Sequence, residues 1–146
     1  MSQIIKRLDF LVTTLPSLFK EINDEDFSRK PSSGKWSKKE ILGHLIDSAT
    51  HNHQRFIRGQ FEDMPAIGYN QNEWNKHSHY NEINSGLLID FWTSYNKHLL
   101  EIIKRIPAEG LQKKCSSADG NTHTIAFLIE DYVAHMEHHL KQIVTS

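Results

Sequence analysis

Histidine is the residue type that stands out in this chain, because ten of its 146 positions are histidine. The imidazole ring ligates metal ions and titrates near neutral pH, so grouped histidines indicate a metal centre or acid–base chemistry. His135 and His139 lie four residues apart, which places them on one face of a helix where two imidazoles can share an ion. Chance alone gives about 0.7 such pairs at this histidine content, so the pair by itself establishes nothing.

The position of the pair around its helix favours a site at the edge of the core. His135 and His139 border the apolar face of the predicted helix, whereas His138 points further toward solvent. Asp131 and Gln142 flank the pair and are candidates for contacts to the ligands or to a substrate. From spacing alone, solvated surface histidines in a histidine-rich chain explain the pattern at least as well as a metal site.

A third ligand must come from another helix, and His44 is the best candidate. It lies on the flank of the apolar arc of the predicted second helix, with His51 two turns further along the same line. Three neutral imidazoles leave one or more positions of a divalent ion open to water or substrate. Asp47, His51 and Asp131 are candidates for a general base if the reaction is hydrolysis. Asp47 and His51 are also candidates for contacts to the ligands or to a substrate.

Two other metal architectures are disfavoured by the sequence. Di-iron carboxylate bundles use Glu-x-x-His motifs on facing helices, and no glutamate here is followed by histidine three residues later. A two-iron oxygen carrier would place further ligands along its helices, but Ser48 stands one turn after His44. A site for a single ion fits the sequence better.

The elements that must position these residues are four amphipathic helices. Apolar residues at helical spacing predict them at about 3–22, 37–58, 84–106 and 124–144. Pro16 is expected to kink or break the first helix. No strand alternation of useful length occurs, so the sequence predicts an all-α four-helix bundle.

The second helix has the clearest start. Ser37 and Glu40 match the capping box, and Trp36 with Ile41 matches the hydrophobic staple that accompanies it. The loop that follows, over residues 59–81, is long for a compact domain, which is typical of a functional segment, but the sequence does not assign it a role.

Two segments resemble the signature motifs of the DinB-like (YfiT-related) superfamily. They are GKWS at 34–37 with EILGHLIDS at 40–48, and HMEHHLKQI at 135–143. The resemblance covers nearly the whole chain. It implies an up-down-down-up four-helix bundle with a long connection between its second and third helices, often a homodimer. It also implies a three-histidine site for a divalent metal, nickel or zinc, and by position the ligands are His44, His135 and His139.

The resemblance also sets the functional hypotheses. Characterised relatives are metal-dependent transferases or isomerases that use low-molecular-weight thiols such as bacillithiol or mycothiol. The leading hypothesis is therefore a thiol S-transferase acting on small electrophiles, since a divalent ion deprotonates a bound thiol at neutral pH. The alternatives are a metal-dependent hydrolase and a non-enzymatic metal-binding or dimeric interaction domain.

Composition narrows the classes of protein. A formal charge of −1 and a pI near 6.8 argue against nucleic acid as the partner, and no apolar run is long enough to span a membrane. Residues 1–19 do not read as a signal peptide. We expect one domain over residues 1–146, a cytoplasmic location and a small-molecule substrate. The single cysteine, Cys115, is expected to be an exposed thiol.

Overall fold

Four long helices form the frame of the molecule. In the computed structural model, which describes residues 1–144, the elements in chain order are α1 (Ser2–Lys20), α2 (Asp24–Ser28), α3 (Lys38–Arg58), α4 (Gln71–Ser78), α5 (Ser85–Arg105), α6 (Ala108–Leu111), β1 (Lys114–Ser116), β2 (Thr122–Thr124) and α7 (Ile125–Val144). Both α1 and α3 pack against α5 and α7, so α1 lies diagonally opposite α3. The predicted four-helix bundle is confirmed, with helix ends within two residues of those expected. The last two residues of the predicted domain, 145 and 146, lie outside the described part.

The inner faces of these helices supply the core. Helical spacing of Leu, Ile and aromatic residues turns one stripe of each helix inward, where burial of apolar area stabilises the bundle. The fully buried side chains include Leu8, Phe19, Leu42, Leu45, Phe56, Ile89, Trp92, Leu99, Ile103, Ile125 and Ile129. The core therefore fixes the rotation of α3 and α7 about their axes, and with it the direction of their histidines.

The first helix continues through Pro16, where a kink or break was expected. Proline removes one backbone hydrogen bond and crowds the preceding turn, yet α1 runs unbroken from Ser2 to Lys20. Val12 and Phe19, before and after Pro16, are both buried in the core. Packing on both sides of the proline holds the helix together.

The predicted loop over residues 59–81 is not loop throughout. It contains α4, whose first turn is capped by the Asn70 side chain accepting the Glu73 N–H, and it ends in a 3-10 turn over Tyr80–Glu82. His79 links the end of α4 to this 3-10 turn and adopts the left-handed conformation with φ 55°. Residues 69–82 together are called the cover segment here, because they lie over the outer face of α3.

The bundle also carries one short β-hairpin that the sequence did not indicate. β1 and β2 form a short antiparallel hairpin in which Cys115 pairs with His123. Strands of three residues are too short for alternation to be visible in the sequence. Cys115 was expected to be exposed, but it is buried in this hairpin, and its S–H lies 3.6 Å from the carbonyl oxygen of Arg55.

The cover segment is fastened to the first half of α3 by polar contacts. The capping box is present as predicted, with the Ser37 hydroxyl accepting from Glu40 N–H and the Glu40 carboxylate accepting from Ser37 N–H. The Ser37 hydroxyl also donates to the Asn81 side chain at 2.5 Å, and Asn75 donates to the Glu40 carbonyl at 2.9 Å. The start of α3 and the cover segment thus form one hydrogen-bonded unit.

Residues 1–144 contain no helix that is both long enough and apolar enough to cross a lipid bilayer.

Candidate metal centre

Three histidines from two helices meet at the α3–α7 contact. His44 comes from the second turn of α3, and His135 and His139 come from successive turns of α7. One nitrogen of each ring lies within 4.8 Å of the other two. The Nε2 atoms of His44 and His135 are 3.2 Å apart. Among the described residues, this is the one group of three or more histidine, cysteine or carboxylate side chains close enough to hold a metal ion.

The spacing of these nitrogens suits a small divalent ion. Two nitrogen ligands at 2.0–2.1 Å from one tetrahedral ion lie roughly 3.3–3.4 Å apart, close to the 3.2 Å between the Nε2 atoms of His44 and His135. The third nitrogen lies within 4.8 Å of both, so at most roughly 1.5 Å separates it from the same spacing. His135 and His139 are only half-buried.

The charge state of the rings also suits ligation, which requires neutral imidazoles. Burial, together with the neighbouring His135 and His139, lowers the pKa of His44 to about 4. Burial and the neighbouring His139 likewise lower the pKa of His135, although the carboxylate of Asp131 partly opposes this. At neutral pH both rings offer lone pairs rather than positive charge.

Gln142 orients one of the three rings. The Nδ1 atom of His139 lies 2.9 Å from the side-chain oxygen of Gln142. Because an amide oxygen only accepts hydrogen bonds, Nδ1 of His139 carries the proton and Nε2 keeps its lone pair. Contacts of this kind fix the tautomer and direction of metal-ligating histidines. Gln142 was predicted to flank the histidine pair, and the structure places it against His139.

The His44 ring is enclosed on the other side by an aromatic side chain. The Trp36 ring lies on it, with centroids 4.9 Å apart. His44 is 1% exposed, and its Nδ1 atom is buried without a hydrogen-bond partner among the described residues. Since Nε2 is the nitrogen that faces His135, the unpartnered Nδ1 is not the atom that meets the other two histidines.

Asp47 lies one turn after His44 and is buried beneath the cover segment. Its Oδ1 atom accepts a hydrogen bond of 2.5 Å from the Tyr80 hydroxyl, while its Oδ2 atom has no partner among the described residues. Burial raises the pKa of Asp47 to about 6, although the Tyr80 hydrogen bond partly offsets this. The carboxylate therefore ionises close to neutral pH.

The remaining sequence candidates lie outside the group of three. His51 donates from Nδ1 to the Asp47 carbonyl oxygen at 2.8 Å, and its ring stacks on Tyr69 with centroids 3.8 Å apart. Asp131 lines a different pocket, next to Cys115 and the hairpin, and its charge raises the pKa of His135 against the effect of burial. His138 is exposed, as its predicted direction required.

A groove opens directly onto the site. It has a volume of about 670 Å³ and is lined by Lys35, Trp36, Ile41, Asn72, His139 and Gln142, together with two loop residues. A second groove of about 500 Å³ continues from it and shares Trp36, Ile41 and Gln142 in its wall. Volumes of this size suit a small organic molecule.

Sequence reasoning missed part of this groove. Trp36 was interpreted as a hydrophobic staple, but its ring also covers His44 and lines the groove. Its position just before the Ser37 cap was the available signal, since the α3 face that begins there carries His44 two turns later. Asn72 and Lys35 carry no comparable signal, because they reach the groove from irregular or polar segments distant in sequence from α7.

Comparison with known proteins identifies relatives of the same kind. The family model described as the DinB superfamily matches residues 7–143. Two proteins of Oceanobacillus iheyensis, whose names propose metal-dependent hydrolases, are 24% and 21% identical over 142 and 140 residues. The matches cover 92% and 95% of this chain and 80% of each relative.

Two solved structures from Bacillus subtilis share the fold. YfiT, described as a proposed metal-dependent hydrolase with an unusual four-helix bundle topology, superposes with a TM-score of 0.88 at 18% identity. That match covers 97% of this chain and 82% of YfiT. The DinB-like protein YjoA gives a TM-score of 0.68 at 18% identity, covering 97% of this chain and 86% of YjoA. At this identity the matches establish the architecture alone.

Proposed function

The chain belongs to the DinB superfamily, and from that premise we propose that it binds one divalent ion through His44, His135 and His139 and transfers a low-molecular-weight thiol to a small electrophile. The observation that carries the proposal is the convergence of three imidazole nitrogens within 4.8 Å beside a groove that His139 lines. Imidazole ligands suit zinc, nickel and copper alike, and nickel or zinc is proposed for this site.

Thiol transfer uses the features of this site in a simple way. A divalent ion lowers the pKa of a bound thiol, which supplies a nucleophile at neutral pH. The new bond forms between the thiol sulfur and a carbon of the electrophile. The bond from that carbon to its leaving group breaks, the leaving group keeps the electron pair, and the thiol proton passes to solvent.

The protein's own residues hold and orient the reactants. The three imidazoles are the ligands, and within the described residues no fourth histidine, cysteine or carboxylate joins their group, so room remains for a substrate donor atom. Gln142 fixes the direction of His139. Trp36 covers His44 and walls the groove along which a substrate can lie.

Hydrolysis is the second candidate function, and Asp47 is the observation that favours it. Its Oδ2 atom is buried without a partner one turn from His44, and its pKa of about 6 suits a base at neutral pH. The O. iheyensis relatives are also named for metal-dependent hydrolysis. Ester or amide turnover that disappears with EDTA and in Asp47→Asn would support this candidate over thiol transfer.

The decisive experiment combines metal analysis with a thiol-transfer panel. Untagged protein is purified, its metal content is measured by plasma mass spectrometry, and the His135→Ala/His139→Ala variant is measured in parallel. About one divalent ion per chain, absent from the variant, is expected. The metal-loaded protein is then incubated with several thiols and electrophiles, and conjugates are quantified by mass spectrometry.

Each result of that experiment has a defined meaning. Conjugation that requires the metal and the histidines supports the proposed function. A metal-loaded protein that neither conjugates thiols nor hydrolyses esters and amides would instead be a metal-binding domain without either activity. A wild-type protein that retains no ion after incubation with zinc or nickel and desalting would overturn the proposal.

A further inference from the structure

The wall of the 670 Å³ groove combines apolar and polar residues. Trp36, Ile41 and Pro31 are apolar, whereas Lys35, Asn72, His139 and Gln142 are polar. The Trp36 ring also packs on the His44 ring at a tilt of 40°, so the apolar part of the wall adjoins the histidine group. One groove therefore offers a candidate metal site, an apolar wall and a lysine to the same ligand.

Lys35 provides the only formal charge in the part of the groove that adjoins the histidines. None of the other described lining residues is an acid or a permanently charged base. Lys35 forms no salt bridge within residues 1–144, whereas the nearby Lys30 is paired with Glu40 at 2.7 Å. The Lys35 ammonium is thus available to a group that enters the groove.

The histidine end adds to the positive potential. Neutral imidazoles contribute no negative charge, so a divalent ion held by three of them keeps its full charge toward the open side. Neither carboxylate close to the histidines lines this groove: Asp47 is buried with one oxygen bonded to the Tyr80 hydroxyl, and Asp131 lines a different pocket. A ligand that carries negative charge at both ends, with an apolar body between them, matches this distribution of charge.

We propose that Lys35 is a specificity-determining residue that selects thiols bearing a carboxylate. The sulfur of such a thiol lies at the histidine site, its body lies against Trp36, and its carboxylate pairs with the Lys35 ammonium. This inference rests on the proposed thiol-binding function and adds the class of thiol. It requires only a solvent-exposed ion pair, so its contribution to affinity is modest.

A matched pair of thiols tests the proposal. Cobalt-loaded protein is titrated with 3-mercaptopropionate and with 3-mercaptopropanol, and binding is followed by the change in the visible absorption of the cobalt ion. The same titrations are made on Lys35→Gln and on Lys6→Gln, which removes an equal charge from an exposed position of α1 that does not line the groove. Mercaptopropionate is expected to bind wild type more tightly, with the preference reduced about two- to fivefold in Lys35→Gln and unchanged in Lys6→Gln.

Three further measurements sharpen the test. Lys35→Arg is expected to keep the preference, because it keeps the charge. Raising the salt concentration is expected to reduce the preference in wild type toward that of Lys35→Gln, since exposed charges are screened. Trp36→Leu is expected to weaken both thiols by a similar factor, because it removes the wall that both share.

The outcomes separate this inference from the proposed function. If both thiols bind but the preference is the same in wild type and Lys35→Gln, the role of Lys35 is overturned while thiol binding stands. If cobalt binds and neither thiol changes its spectrum, thiol transfer itself is overturned and the inference falls with it. If Lys6→Gln reduces the preference as much as Lys35→Gln, the effect belongs to net charge and the inference is wrong.

Discussion

The Nε2 atoms of His44 and His135 lie 3.2 Å apart, although 91 positions separate the two residues in the sequence. Direct packing of α3 on α7 produces this approach. A single proton between the two nitrogens makes one N–H···N hydrogen bond, so the pair alone is equally compatible with neutral rings that hold no metal. The nitrogen of His139, which lies within 4.8 Å of the other two, makes the group a candidate ligand set.

Metal binding is expected to stabilise the folded protein. A ligand present at 100 times its dissociation constant adds about 2.7 kcal/mol to the free energy of unfolding, which corresponds to a rise in Tm of roughly 5–10 °C for a domain of this size. Thermal unfolding followed by circular dichroism, with zinc or nickel and then with EDTA, measures the effect. The rise should disappear in His44→Ala and persist in His138→Ala, whose exposed ring lies outside the group. An equal rise in both variants would contradict the assigned ligands.

Replacing Gln142 is expected to weaken metal binding without abolishing it. Gln142→Ala removes the acceptor that holds Nδ1 of His139, and loss of such outer contacts typically lowers metal affinity about 10- to 100-fold. Competition with a chromogenic chelator measures the dissociation constant. Gln142→Glu keeps an acceptor oxygen and should retain most of the affinity. Wild-type affinity in Gln142→Ala would show that the hydrogen bond has no role in orienting the ligand.

The bundle was predictable because its signals are local. Apolar residues at helical spacing, and the capping box at Ser37 and Glu40, depend only on neighbours within a turn or two. The pairing of His135 with His139 is also a local signal, because the two residues are four apart on one helix. The choice of His44 as third ligand came from its position on the wheel and from the family motif, and the structure brings it to the pair.

The parts that could not be predicted depend on contacts between distant segments. α4 is polar, so apolar periodicity does not reveal it, and its Asn70 cap is a weak signal without a following apolar face. The hairpin strands are too short to show alternation. The groove joins Lys35, Asn72 and His139 from three separate segments, so only the folded chain defines it.

Gly43 is expected to be required where the cover segment meets α3. A Cβ at this position would lie 2.1 Å from a ring carbon of Tyr80 and 2.3–2.4 Å from two others. Gly43→Ala should therefore lower the free energy of unfolding by about 1–3 kcal/mol, although alanine is the better helix former. Urea unfolding at constant pH measures the change.

The control for Gly43 is a background without the Tyr80 ring. In Tyr80→Ala, the added methyl group meets no ring, and helix propensity alone makes Gly43→Ala stabilising by up to about 1 kcal/mol. The sign of the Gly43→Ala effect should therefore reverse between the two backgrounds. A penalty of the same size in both would show that Tyr80 is not the cause.

Ionisation of the buried Asp47 carboxyl group is expected to lower the free energy of unfolding as the pH rises. Its folded-state pKa is raised from 3.8 to about 6, so the folded protein keeps this proton up to about pH 6 while the unfolded chain loses it near pH 4. The free energy of unfolding should fall as the pH rises across this window, by at most about 3 kcal/mol.

Asp47→Asn removes this dependence, so the variant should gain stability relative to wild type between pH 4 and pH 7. Urea unfolding of metal-free protein in EDTA at pH 4, 5, 6 and 7 measures the difference. The exposed Asp63→Asn serves as the control, with little change expected across the same range. A constant difference between Asp47→Asn and wild type would mean that the buried carboxyl ionises at its ordinary pKa.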